Sequence, residues 1–496
     1  MITVDHLLRG WLPSQRWFAS KGRRIARVHS RSAATLRQDE PRIEARMVTV
    51  EFADGGGPVR ETYHVPLSYY RRTSDQLVHA LLGDVDDPVT GQTRWVHDAL
   101  RDRDATAVWL ELFASKAEVG DLRFHVEPDI ELPVGVPGDI LSAEQSNSSL
   151  IYGETAILKL FRRVEPGINP DIEIHDALRP AGNPHMAPLL GHITAVWRGP
   201  NGIDLSDRSD PADQADPNDL NNPNDPAGPP DQGRMRESSL AMLQTFLSSA
   251  SDGWSLATTS VRDLYGEGDL HPDEVGGDFA SEAHRLGQAT ASVHADLARL
   301  MPTEVVGQER LGQLADSMTT RLTAACEVVP ELAQHAPALL ACYDALRGLD
   351  NATRLQRVHG DFHLGQVLRT SQGWTLLDFE GEPARPLAER RELDSPLRDV
   401  AGMLRSFDYA ARHLLLDGTP DPQLSYRATE WSDRNRDAFC GGYAEQSGTD
   451  PREEPVLLRA FEADKAVYEA VYEARNRPSW LPIPLGSLTR LTVEPR

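Results

Sequence analysis

Apolar positions in this chain change period from helical to alternating and back, and the changes outline its elements. Leu7, Leu8, Trp11 and Leu12 recur on one helix face. Arg46-Met47-Val48-Thr49-Val50-Glu51-Phe52 and Glu61-Thr62-Tyr63-His64-Val65 then alternate as half-buried strands. Residues 1–88 therefore read as a small α+β unit, with Trp11, Arg16, Trp17 and Phe18 expected in its core. Residues 89–250 form a second segment, carrying two short apolar strands around a glycine turn at 150–161 and a third at 239–246. From 251 to 496 the period is mostly helical, over 279–300, 311–329, 337–349 and again up to Asn476. Phe279, Ala283, Leu286, Val293, Leu297 and Leu300 make the stripe of a buried long helix on which Thr290 is the polar member.

One stretch breaks this regularity. Residues 359–380 read HGDFHLGQVLRTSQGWTLLDFE: an acid after His-Gly (Asp361), an amide five residues on (Gln366), and a second acid (Asp378) after an apolar hairpin. Phosphoryl transfer needs a carboxylate to orient and deprotonate a hydroxyl and oxygen ligands to hold magnesium. A three-residue loop, Ser371 to Gly373, predicts that Gln366 and Asp378 lie opposite each other with Cβ atoms roughly 5 Å apart. A two-residue turn shifts the pairing by one place and still brings both to the open end of the hairpin.

Phosphate-binding groups are expected upstream. Gln145, Ser146, Asn147, Ser148 and Ser149 form a polar run whose small side chains let backbone N–H groups approach phosphate oxygens. Lys159, set among apolar neighbours in a strand, suits a lysine that reaches the α and β phosphates of ATP. Glu173 is expected to begin a helix and to pair with Lys159. No G-x-x-x-x-G-K-[ST] occurs, which argues against a Walker-type ATPase.

Composition narrows the class further. The net charge of −24 argues against nucleic acid and anionic membrane as partners, and no apolar run approaches the ~20 residues that span a bilayer. The start lacks the pattern of a signal peptide, and Cys326, Cys342 and Cys440 fit neither a disulfide framework nor a zinc site, so a cytoplasmic enzyme is expected. Between residues 203 and 233 the chain is built from Asp, Asn, Pro, Ala and Gly; Asp204 to Asp231 holds eight Asp and one Arg, and a disordered insert is expected. No glycine turn and terminal Glu complete an EF-hand there.

HGDFHLGQVL followed by DFEGEP resembles the aminoglycoside-phosphotransferase-like branch of the protein-kinase fold. LLRGWLPSQRWFASKGR near the start, ELDSPLRDVAGMLRSFDYA at 392–410 and KAVYEAVYEARNRPSWLPIPL at 465–485 resemble the actinobacterial maltokinases. The resemblance implies an α+β, bilobal, eukaryotic-protein-kinase-like fold with an N-terminal α+β cap and a mostly helical C-terminal lobe. It implies ATP and Mg2+ as cofactors, and phosphorylation of maltose at its anomeric hydroxyl to give maltose 1-phosphate. A trehalose synthase, which makes maltose, is the implied partner. A related branch phosphorylates glucosamine, and a non-catalytic module that organises trehalose synthase is a further alternative. Gln366 stands where most relatives carry Asn.

The resemblance also places residues. Gln244 falls in the strand that resembles the connection between kinase lobes, where backbone groups would face adenine. His359 is expected to brace the loop of Asp361, and Asp399 is a candidate to hold it. His363, Glu380, Asp394, Arg398, Tyr409, Glu473, Arg475, Asn476 and Trp480 are candidates for sugar contact, with Arg405, Arg477 and Tyr443 near them. The combined reading has Lys159 and Ser146–Ser149 hold phosphates, Gln366 and Asp378 bind Mg2+, and Asp361 aim the sugar hydroxyl.

Overall fold

A computed structural model describes residues 2–55, 59–87, 91–141, 146–197, 236–349, 352–383, 385–416 and 421–492. The acidic segment at 203–233 and Gln145 lie outside the described residues. The chain forms two compact units, Met1–Ile172 with Leu189–Phe246, and Glu173–Pro188 with Leu247–Arg496.

The first unit opens with helix α1 (Val4–Trp11), capped by Thr3 Oγ1 accepting from the His6 N–H, which buries Leu8. Strands β1 (Ile25–Arg37), β2 (Arg42–Phe52), β3 (Arg60–Tyr70), β4 (Leu81–Asp86) and β5 (Thr93–Asp98) make an antiparallel sheet in the order β1-β2-β3-β5-β4. The expected boundary at residue 88 falls inside this sheet, because β5 inserts between β3 and β4. Alternate residues serve two cores. Val48, Val50, Tyr63 and Val65 pack with Leu8, Trp17 and Phe18. Ile43, Ala45 and Met47 instead pack with Trp109 and Phe113 of α2 (Arg103–Ala114) and with the next sheet. Trp17 and Phe18 are thus core residues, as expected.

That next sheet has seven strands: β6 (Glu118–Val119), β7 (Leu122–Val126), β8 (Asp139–Leu141), β9 (Asn147–Tyr152), β10 (Ala156–Phe161), and, after helix α3 (Pro170–Leu178), β11 (Leu189–Trp197) and β12 (Arg236–Thr245). Their order is β6-β7-β11-β12-β10-β9-β8, which places Lys159 on an inner strand. Arg162, fully buried at the end of β10, joins the two sheets. Its Nε donates to Ser148 Oγ at 2.8 Å, its Nη2 lies 3.8 Å from Asp98, and its guanidinium stands 4.6 Å from the centroid of the Trp17 ring. His64 lies beside it, with both ring nitrogens lacking a hydrogen-bond partner; burial and the Arg162 charge push its pKa down to about 3.

The second unit takes α3 from Glu173 onward, a segment expected to belong with residues 89–250. It continues through β13 (Ser251–Asp252), α4 (Gly253–Gly266), α5 (Ala280–Leu300), β14 (Thr303–Val306), α6 (Gln308–Val328), α7 (Ala336–Arg347) and β15 (Thr353–Gln356). The hairpin β16 (Val367–Thr370) and β17 (Gly373–Leu376) follows, then α8 (Leu387–Arg390), α9 (Leu397–Arg412), α10 (Pro422–Ser447), α11 (Pro455–Asn476) and α12 (Pro482–Thr492). The stripe on α5 is buried from Ala283 to Leu297, and Thr290 answers its own polarity by donating to the Leu286 carbonyl at 2.8 Å. Phe279, Trp374, Phe407 and Trp431 pack around one another at the centre of this unit. Helices α5 and α10 approach until Gly287 lies on the Phe439 carbonyl and Gly442 on the His284 carbonyl, with no room for a Cβ at either place. Among the described residues, no helix is long and apolar enough to cross a membrane.

Two outcomes follow from this packing. Gly442→Ala should lower unfolding stability by about 1–3 kcal/mol through overpacking. Gly441→Ala, whose Cβ meets nothing within 4 Å, should be neutral or gain up to about 1 kcal/mol of helix propensity; denaturant melts compare the two. The unfolded chain takes a proton on His64 below about pH 6.5 that the folded chain refuses, so stability is lost as pH falls, by about 1.4 kcal/mol per unit. His64→Leu should flatten that slope between about pH 6.5 and 4 in melts across pH.

Candidate active site

Strand β15 runs into the turn Arg357–Asp361, and one buried acid holds that turn. Asp399, in the first turn of α9, accepts from the His359 N–H at 2.7 Å, from the Gly360 N–H at 2.8 Å and from His294 Nε2 at 3.1 Å. Gly360 has φ +83°, a backbone state that glycine adopts without strain. Burial pushes the Asp399 pKa up, but the His294 and Gly360 hydrogen bonds and the histidine charges bring it below the usual carboxylate range. His294 Nδ1 meets the Tyr443 hydroxyl at 3.0 Å. His359 Nε2 must carry a proton, since its partner at 2.7 Å is the Leu377 carbonyl; Nδ1 then accepts from the Asp361 N–H at 3.4 Å. Both loop-holding roles expected of His359 and Asp399 are what the geometry displays.

Asp361 follows at the tip of this turn. Its Oδ1 accepts from Lys465 Nζ of α11 at 2.8 Å. Burial pushes the carboxyl up, yet the Lys465 charge and hydrogen bond, with His363 and His359, hold it well below the usual carboxylate range. Lys465 is correspondingly raised: burial lowers it, and Asp361, Glu382 and Glu469 more than reverse that. His363 Nδ1 accepts from the Gly365 N–H at 3.0 Å, so a neutral ring carries its proton on Nε2, and burial lowers its pKa.

The hairpin turns on two residues, not three. Thr370 pairs with Gly373 and Val367 with Leu376, and the ladder extends through the Leu377 N–H to the Gln366 carbonyl at 2.9 Å. The Thr370 hydroxyl accepts from the Gln372 N–H at 3.1 Å and donates to the Gly373 carbonyl at 3.0 Å, which closes the tighter turn. Asp378 therefore lies one place beyond the residue opposite Gln366, and its φ of +65° swings the side chain back. Gln366 Nε2 reaches Asp378 Oδ2 at 3.1 Å. Carboxylate oxygens of Asp378 and Glu380 lie within 4.8 Å of each other. A half-turn of the Gln366 amide presents its oxygen, making a set of oxygen donors that fits a hard cation such as Mg2+. Phe379, between the two acids, is buried against His359 and His175, with ring centroids 4.8 and 5.6 Å away.

The first unit corrects two expectations. Asn147, Ser148 and Ser149 are not loop residues: they belong to β9, buried, and pair with Phe161, Leu160 and Lys159 of β10. Ser146 alone of that run lies in a bend among the described residues. Lys159 Nζ is held by Asp171 Oδ2 at 3.2 Å, two residues before the acid expected to hold it. Glu173 does start on α3, but it accepts from Arg357 at 2.6 Å and from Arg391 at 2.7 Å. On a helix a shift of two residues turns a side chain to the far face, and sequence spacing alone did not separate the two acids. Gln244 sits on β12 opposite Ile157 and Leu189.

The sugar candidates fall into separate networks. Asp394 accepts from Arg398 at 2.9 Å, and Arg398 also lies 3.8 Å from Glu382, which Arg385 meets at 2.8 Å. Arg405 joins Glu469 at 2.8 Å to Asp408 at 3.0 Å. Tyr409 donates to Glu473 at 3.4 Å; Glu473 pairs with Arg477 at 2.7 Å, and the Arg477 guanidinium covers the Trp480 ring at 4.2 Å. Glu473 is buried in this cluster, whereas Arg475 and Asn476 are exposed. Sequence reasoning passed over Asp171, His294, Lys465, Tyr468 and Tyr472. Spacing carried a signal for the last three, since steps of three and four residues place Lys465, Tyr468 and Tyr472 on one face of α11. The Lys465 ammonium stands 4.9 Å from the Tyr468 ring, which stacks on Tyr472 at 6.4 Å.

Residues 11–102 match the maltokinase N-terminal cap domain, and residues 265–421 match the phosphotransferase enzyme family. A glucosamine kinase from Streptacidiphilus jiangxiensis is 28% identical over 366 residues, covering 71% of this chain and 72% of that protein. One from Mycolicibacterium smegmatis is 25% identical over 364 residues, 71% of this chain and 79% of that protein. A solved glucosamine kinase (crystal form B) is similar with a TM-score of 0.65 at 22% identity, over 99% of this chain and 100% of the other. The structure of a glucosamine kinase in complex with glucosamine, ADP and inorganic phosphate gives 0.62 at 22%, over 99% of each. The chain is thus a phosphotransferase of the protein-kinase-like fold whose acceptor is a hydroxyl group. More particularly, it joins a maltokinase N-terminal cap domain to a phosphotransferase domain, the make-up of a sugar kinase.

Asp399→Ala strips three donors of their acceptor. Unfolding stability should fall by about 3 kcal/mol or more, and turnover by about tenfold or more as the turn loosens; melts and initial rates on the same preparation measure both.

Proposed function

We propose that this protein is an ATP-dependent kinase that phosphorylates maltose at its anomeric hydroxyl. The observation that carries the reading is the Asp361 carboxylate, fixed by a braced turn and a lysine in the same unit as the Gln366–Asp378 oxygen pair. Asp361 accepts the hydrogen bond of the sugar hydroxyl and directs its oxygen at the γ-phosphorus. The new oxygen–phosphorus bond forms as the bond to the β,γ-bridging oxygen breaks; ADP leaves with that electron pair, and the hydroxyl proton passes to Asp361. Gln366, Asp378 and Glu380 would hold Mg2+, which supplies charge neutralisation to the phosphates when bound. Lys159 and the segment at Ser146 would hold phosphate, and Gln244 would lie beside the adenine-facing backbone. The transition state is loose, so a strongly ionised Asp361 serves as an aiming acceptor rather than a strong base.

Two features support a neutral disaccharide. Tyr468 and Tyr472 follow Lys465 on one face of α11 with ring centroids 6.4 Å apart, placing aromatic surface beside the Asp361–Lys465 pair. Carboxylates around that helix are already matched: Glu382 by Arg385, Glu469 by Arg405, Asp464 by Arg321 and Asp361 by Lys465. A matched set offers little to the ammonium of an amino sugar. The second reading, a glucosamine kinase, is favoured by the names of the similar curated proteins. A trehalose synthase is the proposed partner as the source of maltose, and a cytoplasmic setting is part of the same proposal.

ADP release measured against a panel of sugars tests the choice, with phosphorus NMR separating an anomeric phosphate from a 6-phosphate. Maltose should give the highest kcat/KM; preference for glucosamine would replace the first reading by the second. In Asp361→Asn, turnover should fall by about 10²–10⁴-fold while calorimetric nucleotide affinity stays within about twofold.

A further inference from the structure

We propose that Lys465 is the positioning residue of the acceptor step: from α11 it ties down Asp361 Oδ1 and so leaves Oδ2 as the oxygen that meets the sugar hydroxyl. This rests on the sugar-kinase reading above and assigns a role that the catalytic segment does not supply for itself. Between His359 and Gln366 the chain has no lysine or arginine. The cation arrives from 104 residues downstream, at 2.8 Å.

Its mounting is rigid on both sides. Asp464, the residue before it, takes a two-pronged hydrogen bond from Arg321 of α6 at 3.0 and 2.8 Å. Glu469, one turn on, accepts from both Nε and Nη2 of Arg405 of α9 on its single oxygen Oε2, at 3.0 and 2.8 Å. The Tyr468 ring flanks the ammonium at 4.9 Å. The fork on both oxygens of Asp464 fixes direction as well as distance. A carboxylate held only through its backbone turns about its last side-chain bond and offers either oxygen; with Oδ1 bound, the plane is set and a single acceptor direction remains. The groups that face Asp361 are His359 and His363 of its own loop and Lys465 and Tyr468 of α11, while Glu382, Glu469 and Tyr468 face Lys465. Removing the ammonium leaves a carboxylate pressed upward by burial, with only imidazoles to oppose that.

The experiment compares the full-length protein with Lys465→Met and Lys465→Arg, measuring kcat and KM for the sugar and for ATP across pH. Lys465→Met should lose about 10²–10³-fold in kcat with KM for ATP within about threefold. Its acid limb of kcat/KM for the sugar should move up by about one pH unit or more. Lys465→Arg should recover about tenfold or more of the loss. A Lys465→Met protein that melts like the parent and turns over within about threefold of it overturns the role, as does a loss with an unmoved acid limb and no recovery in Lys465→Arg. If Lys465→Met does not fold, Lys465→Gln takes its place with the same expectations and the same overturning results. A parent inactive on every sugar overturns the kinase reading itself, which separates that failure from a failure of Lys465 alone.

Discussion

Asp399 draws hydrogen bonds from three directions at once: two successive backbone N–H groups of the His359–Gly360 turn and the imidazole of His294 on α5. The Asp361 carboxylate hangs from that turn. An ionised acid inside a protein is tolerated only when its oxygens are saturated, and here saturation also fixes a short segment with little regular structure of its own. From it the chain passes to Asp361, then through the tight turn at Leu364–Gln366, whose first N–H is taken by Ser406 Oγ at 3.0 Å. Helix α9 therefore supports the segment at two points on one face, two turns apart, and is itself buried along nearly its whole length.

Around α9 and α11 the second unit gathers acids and bases in matched sets rather than in isolated pairs. Asp408 receives Arg405, Arg412, Arg490 and the Ser487 hydroxyl, and Arg405 continues to Glu469. Buried ion pairs contribute little net stability when their desolvation is counted, but a wrong alignment that leaves one charge alone is costly. The networks thus select one mutual position of the two helices. That position is what carries Lys465 to Asp361.

In the first unit a single buried arginine plays the comparable part. Arg162 spans from β9 to the sheet of the cap, and the backbone follows it: the His64 N–H donates to the Arg162 carbonyl and the Val164 N–H to the Thr62 carbonyl, both at 2.8 Å. Strand β3 is in consequence buried on both faces, which is why half-exposed alternation described its letters better than its surroundings. Pairing with β10 likewise made buried strand residues of the serines that read as a phosphate-cradling loop.

The letters alone determined the kinds of element, the helical stripe on α5, the hairpin after His-Gly-Asp, and the convergence of Gln366 with Asp378, because each depends on residues near one another in the chain. They also carried the resemblance that the cap and phosphotransferase matches bear out. Tertiary structure decided what depends on approach from afar: Asp171 rather than Glu173 on Lys159, Glu173 on Arg357 and Arg391, His294 on Asp399, and Lys465 on Asp361. A charged side chain many residues away leaves no periodic trace near its partner. Which ion meets which is settled only when packed helices leave a single arrangement with every buried charge answered.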